Sequence, residues 1–120
     1  NGISRTNSVS FSKEVGRMLE NAVFIHLRRE YKEILYFQKE RECDFIVKDK
    51  NKVKAAIQVC YSLSRENRAR ELEGLLGAMR EFELKEGTII TMDEEDEIMV
   101  KDKKIRIVPA FKWLAESRLS

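Results

Sequence analysis

The sequence predicts a single α/β (α+β) domain with a mixed central sheet flanked by helices. Three observations carry that expectation. Apolar residues recur at helical spacing in two long stretches, six short runs rich in Val, Ile, Tyr and Phe fall around them, and polar turns separate the runs. At 120 residues, 42% hydrophobic, with one Pro and five Gly, the chain suffices for one buried core and one domain.

The opening residues 1–11, rich in Ser, Asn and Gly, read as a linker or disordered terminus, leaving residues 12–120 as the folded unit. The start at Asn1-Gly2-Ile3, without Met, suits a fragment of something longer. Ser12 is positioned to cap a helix reaching residue 29. Its Val15, Met18, Leu19, Ala22, Val23 and His26 form one core-facing stripe, with Glu20 at the edge. Strands are expected over residues 31–37, 43–48 and 53–61, the last two joined through Asp49-Lys50-Asn51-Lys52. Ser64 then caps a helix over residues 65–83, with Leu72, Leu75, Leu76, Met79 and Phe82 at a helical period. Gly87 opens a strand over residues 88–91, and an acidic turn follows at residues 93–97. Strands at 98–100 and 105–108 flank a turn at 102–104, and Pro109 starts a short helix whose Phe111, Trp113 and Leu114 close the core. The order is α-β-β-β-α-β-β-β-α.

Composition narrows the function. Charged residues are 37% of the chain but balance to +2, which permits nucleic-acid binding without demanding it. Two Cys and one His make neither a disulfide framework nor, without carboxylates, a four-ligand zinc site. No apolar run approaches the ~20 residues that cross a bilayer, so no membrane partner is expected and a reducing cytoplasm is the expected location.

The chemistry concentrates in Glu42-Cys43-Asp44-Phe45-Ile46-Val47 and Ala56-Ile57-Gln58-Val59-Cys60. Strand alternation puts Glu42 and Asp44 on one face, and Gln58 and Cys60 likewise. Asp disfavours strands, so Asp44 asks for a reason. Metal-assisted phosphodiester chemistry needs two or three convergent oxygen ligands and a means of activating water. Glu20, Asp44 and Gln58 could offer these to Mg²⁺ or Mn²⁺ from one helix and two strands. Gln58 brings no charge, and the soft thiol of Cys60 cannot stand in for an ammonium group. The plainer alternatives are a solvated Glu20, sheet residues at Gln58 and Cys60, and a hydrogen-bonded core His26. A lysine reaching the Asp44 carboxylate would favour catalysis; Lys48 and Lys54 share faces with Asp44 and Gln58. Arg65, Arg68 and Arg70 start the second helix against its dipole and could meet phosphates. Glu66, Glu71 and Glu73 interleave with them as partners on a solvated face.

Gly16-Arg17-Met18-Leu19-Glu20-Asn21, the Glu42 to Val47 strand and Ala56-Ile57-Gln58-Val59-Cys60-Tyr61 together resemble the DUF4143 domain that follows the nucleotide-binding module of certain archaeal and bacterial AAA-type ATPases. The likeness extends to Arg70-Glu71, Gly87-Thr88-Ile89-Ile90-Thr91 and residues 109–114. Such domains look like the PD-(D/E)XK restriction-endonuclease-like core. By that resemblance Glu20 is the helix acid, Asp44 the metal-binding aspartate, and Gln58 and Cys60 stand where a Glu-x-Lys motif belongs. The resemblance implies a nucleic-acid-binding nuclease-fold domain with a degraded or altered metal site. It would be at most a weak metal-dependent nuclease, inactive in isolation, partnered by DNA or RNA and by an N-terminal ATPase module of the same protein. The sequence has no Walker phosphate-binding loop. The alternative is a non-catalytic protein-interaction or regulatory module of the ATPase.

Overall fold

Ala56-Ile57-Gln58-Val59 and Ile89-Ile90-Thr91 are buried without interruption, as strands are when helices cover both faces of a sheet. A computed structural model describes the backbone of residues 3–31, 33–38 and 42–117. Its elements follow the expected order: α1 (Ile3–Glu30), β1 (Glu33–Gln38), β2 (Glu42–Asp49), β3 (Lys52–Val59), α2 (Arg68–Glu81), β4 (Glu86–Thr91), β5 (Asp96–Val100), β6 (Lys103–Pro109) and α3 (Ala110–Ser117). The six strands form one mixed sheet in the order β1-β2-β3-β4-β6-β5. The first three are antiparallel neighbours, β4 runs parallel to both β3 and β6, and β5 closes the edge antiparallel to β6.

The sheet has a core on each side. Under α1 and α3 lie Val23, Leu27, Phe45, Val47, Ile57, Val59, Ile90 and Val108; under α2 lie Ile46, Ala56, Leu75, Met79, Ile89, Ile105 and Ile107. The β2–β3 hairpin turns through Lys50 and Asn51, both at positive φ (53° and 65°), the signature of a type I′ turn whose twist suits the flanking strands. Helix α2 ends in a Schellman motif: Leu84 N–H donates to the Met79 carbonyl at 2.8 Å, with Glu83 in the left-handed region at φ 56°. Gly87 brings β4 close beneath this helix, where a Cβ would lie 2.7 Å from Met79 Sδ.

Four expectations need correcting. Residues 3–11, read as linker, form the first turns of α1. Ser, Thr and Asn are only weakly unfavourable inside a helix, and nothing between Ile3 and Val15 is Gly or Pro, so the helix propagates past Ser12. The broad stripe of α1 also splits: Leu19, Val23 and His26 turn inward with Leu27, whereas Met18 is 68% exposed and Ala22 is exposed. Phe111 is 71% exposed; Ala110 and Trp113 meet the core instead. In α2, the segment 65–67 is a turn and the helix begins at Arg68. Its N-cap is Asn67 and not the expected Ser64, which instead closes the preceding turn, its Oγ accepting from Asn67 N–H at 3.3 Å.

Candidate functional site

The β2–β3 ladder stops at Phe45↔Ile57, while β3 continues to Val59 in parallel pairing with β4. At this fork the alternation of β2 breaks, because Cys43 joins the α2-side core and Phe45, two residues on, the opposite one. The pairing of β1 with β2 shifts register at the same level. Side chains replace the ladder hydrogen bonds that the backbones no longer exchange. Asp44 N–H donates to Gln58 Oε1 at 2.9 Å, and Val59 N–H donates to Asp44 Oδ2 at 2.8 Å. Gln58 Nε2 donates to the Glu71 carbonyl of α2 at 3.1 Å, and the Cys43 thiol donates to the Ile57 carbonyl at 3.6 Å. An Asp in a strand has its reason here: the carboxylate caps a backbone N–H where two strands part.

Gln58 is 3% exposed, and its amide spans three elements. Its oxygen faces the main chain of β2 and its nitrogen the main chain of α2. A carboxylate could not make the second bond, so this geometry calls for an amide at position 58.

Cys60 follows on the same face as Gln58, beside the start of α2. Burial chiefly, and then the charges of Glu71, Glu94 and Asp44, push its thiol up to about 12. Cys43 is likewise raised to about 12, by burial first and Asp44 second. Both are protonated thiols at neutral pH, poor as nucleophiles or ligands. The loops at the ends of β3 and β4 are tied by Glu94, whose Oε2 accepts from Leu63 N–H at 2.8 Å and whose backbone exchanges hydrogen bonds with Thr91 Oγ1.

The structure thus brings together Asp44, Gln58 and Cys60. Glu20 is exposed on α1; Phe24, one turn further on, stacks on Phe45 with ring centroids 6.1 Å apart. The Glu42 side chain lies outside the described residues. Among the described residues no three His, Cys, Asp or Glu side chains are grouped so as to hold a metal ion. A hard divalent cation requires several convergent oxygens; Asp44 Oδ2 and Gln58 Oε1 already accept from backbone N–H groups, and among the described residues no further carboxylates are grouped with them, so the set does not fit Mg²⁺ or Mn²⁺. Lys48 sits 3.9 Å from Glu33 on β1, and Lys54 is exposed four residues before Gln58, about 13 Å along the strand. Neither supplies the ammonium a catalytic site would need. Arg65, Arg68 and Arg70 are all exposed, and Arg70 lies 3.7 Å from Glu71. His26 is a packed histidine, edge-on to Trp113 and 3.8 Å from Glu30. Sequence reasoning missed Glu71, whose contribution is a backbone carbonyl and leaves no mark in residue type.

No helix among the described residues is long and apolar enough to cross a membrane. The chain is 40% identical over 117 residues to the uncharacterized protein MJ1544 of Methanocaldococcus jannaschii, a match covering 88% of this chain and 26% of that protein. The chain therefore spans about a quarter of the length of this relative. Residues 15–113 match the family described as a domain of unknown function, DUF4143, and the chain belongs to that family.

Proposed function

We propose that this chain is a non-catalytic interaction or regulatory module of a longer cytoplasmic protein, a nuclease-like scaffold in which a structural splice has replaced the metal site. The network of Asp44, Gln58 and the Glu71 carbonyl carries this reading, because Asp44 Oδ2 and the whole Gln58 amide serve to join β2, β3 and α2. The 26% share of the archaeal relative supports a part acting within a larger whole, and the resemblance to domains carried behind an ATPase supports such a module as its partner. Fold alone would not separate binding from catalysis.

Calorimetric titration of Mn²⁺ and Mg²⁺ into the wild type and Asp44→Asn, with cleavage of DNA and RNA followed in parallel, tests it. Neither heat nor cleavage attributable to Asp44 is expected, and Asp44→Asn should lower the Tm instead. Metal binding that disappears in Asp44→Asn, accompanied by cleavage, would overturn the proposal.

A second reading, nucleic-acid binding, draws on the exposed Arg65, Arg68 and Arg70. Against it, the carboxylates of Glu71, Glu94 and Asp44 cluster near Cys60, where they add to the effect of burial on its thiol and outweigh the opposing charge of Arg70. Fluorescence anisotropy with labelled oligonucleotides decides. Salt-dependent binding lost in the triple Arg→Ala variant would favour the second reading.

A further inference from the structure

We infer that the outer face of α1 is an interaction surface for a second copy of this chain, paired antiparallel about a twofold axis level with residue 20. The inference is independent of the reading of the β2–β3 fork. Inward-facing Leu19, Val23 and Leu27 meet the core, flanked by Phe24 on Phe45 and His26 on Trp113. A second apolar row, Phe11, Val15, Met18, Ala22 and Ile25, runs about 120° round the helix from the first. Met18 and Ile25 are 68% and 46% exposed, and Phe11, 60% exposed at the end of the row, meets Tyr61 edge-on with ring centroids 6.4 Å apart. The row steps by four and three residues in turn, the alternation of a coiled-coil seam. Its position explains why the stripe read from sequence is too wide for one core.

The occupant follows from self-complementarity. In an antiparallel pair, Met18 faces the partner's Ala22 and Val15 faces the partner's Ile25, so each layer sets a larger side chain against a smaller one. The positions flanking this seam on the Phe24 side are Glu14, Asn21 and Arg28. The same register brings Glu14 within reach of the partner's Arg28, reciprocally and offset by about 3 Å along the axis, and sets the two Asn21 residues on either side of the twofold. Opposite charges thus meet twice; a parallel pair would set Glu14 against the partner's Glu14 and Arg28 against the partner's Arg28. At the end of the seam, Phe11 faces the partner's Arg29. Arg29 lines an open groove with His26, Glu30 and Leu114 at the α1–α3 junction, a partly apolar recess of a size to take a ring.

From Phe11 to Arg29 the seam is about 27 Å long, at the small end of specific interfaces, which suits a micromolar dimer. Because α1 is already anchored on the sheet, pairing does not bear the cost of forming the helix. Sedimentation velocity of the 120-residue chain should show monomer passing to dimer between about 1 and 100 µM. Met18→Lys with Ile25→Lys, both exposed positions, should remain monomeric across that range with an unchanged circular-dichroism spectrum. Glu14→Arg and Arg28→Glu should each weaken association roughly tenfold through two like-charge contacts per dimer. An equimolar mixture of these two variants should associate like the wild type, since both cross-pairs become attractive. A wild type that stays monomeric at about 100 µM, or a mixture no better than its components, overturns the proposal.

Discussion

Replacing Gln58 by Glu tests the splice with a nearly isosteric change. Gln58 is buried, with its oxygen accepting from Asp44 N–H and its nitrogen donating to the Glu71 carbonyl at 3.1 Å. Gln58→Glu keeps the acceptor, loses the donor and turns a second oxygen toward that carbonyl. Losing the bond and leaving a buried carbonyl poorly satisfied costs about 1–3 kcal/mol. Each unit by which burial raises the introduced carboxyl's pKa adds about 1.4 kcal/mol once the pH exceeds it. Together these give a deficit of about 2–4 kcal/mol at pH 8. The raised folded-state pKa sets the sign. The deficit is smallest below the unfolded value near 4.3, where the carboxyl is protonated in both states and its O–H can donate to Glu71. It then grows as the pH climbs through the folded-state value. Urea unfolding of variant and wild type at pH 4.5 and pH 8 reads the gap directly. Equal stability at pH 8 would refute the reasoning, because it would mean that the amide nitrogen joins nothing of consequence to α2.

Gly87→Ala should destabilise the protein by about 1–3 kcal/mol in the same unfolding assay, since the new Cβ meets Met79 Sδ at 2.7 Å and Leu75 at 3.0 Å in a filled core. Glu83→Gly should stabilise it by about 0.5–1 kcal/mol, raising the Tm, because φ 56° at a helix C-terminus strains an L side chain and suits glycine. The raised thiol pKa values mean that Cys43 and Cys60 favour folding below their ordinary value of 9.0 and lose that contribution as pH rises toward about 12. Stability should therefore decline from pH 9 upward, Cys60→Ala should flatten the decline, and iodoacetamide should label the native protein slowly at pH 8.

The order of elements is legible because each carries its own local signal. The type I′ turn at Lys50 and Asn51 lies inside an unmistakable polar gap, and Leu72, Leu75, Leu76 and Met79 keep one helical face. Asp44 and Gln58 also stand out, as polar residues in apolar runs. Their use is less legible, since the groups their side chains bond here, the N–H of Asp44 and of Val59 and the Glu71 carbonyl, are all backbone atoms, which carry no residue identity. Alternation alone misjudges β2, because a bulge changes which side each residue faces and nothing in Cys43-Asp44-Phe45 announces it. The breadth of the α1 stripe misleads for a different reason: periodicity reports that residues share an apolar arc and not which part of the arc the sheet covers. Lys48 and Lys54 show the same limit, since sharing a strand face leaves their distance from Asp44 open.

The parallel joint between β3 and β4 has a consequence for how the chain assembles. On one side of it, β1, β2 and β3 are linked by short connections; on the other, β5 and β6 form a hairpin. Each group can gather from near neighbours, whereas Ile57↔Thr88, Gln58↔Ile89 and Val59↔Ile90 close only across the intervening helix α2. The chain entropy of that closure falls on three residue pairs and on Gln58, which alone among them also bonds α2 through its side chain. Native contacts at Gln58 should accordingly form late, so that weakening them speeds unfolding more than it slows folding. The fork would then act as a latch, fastened after the two halves of the sheet have met.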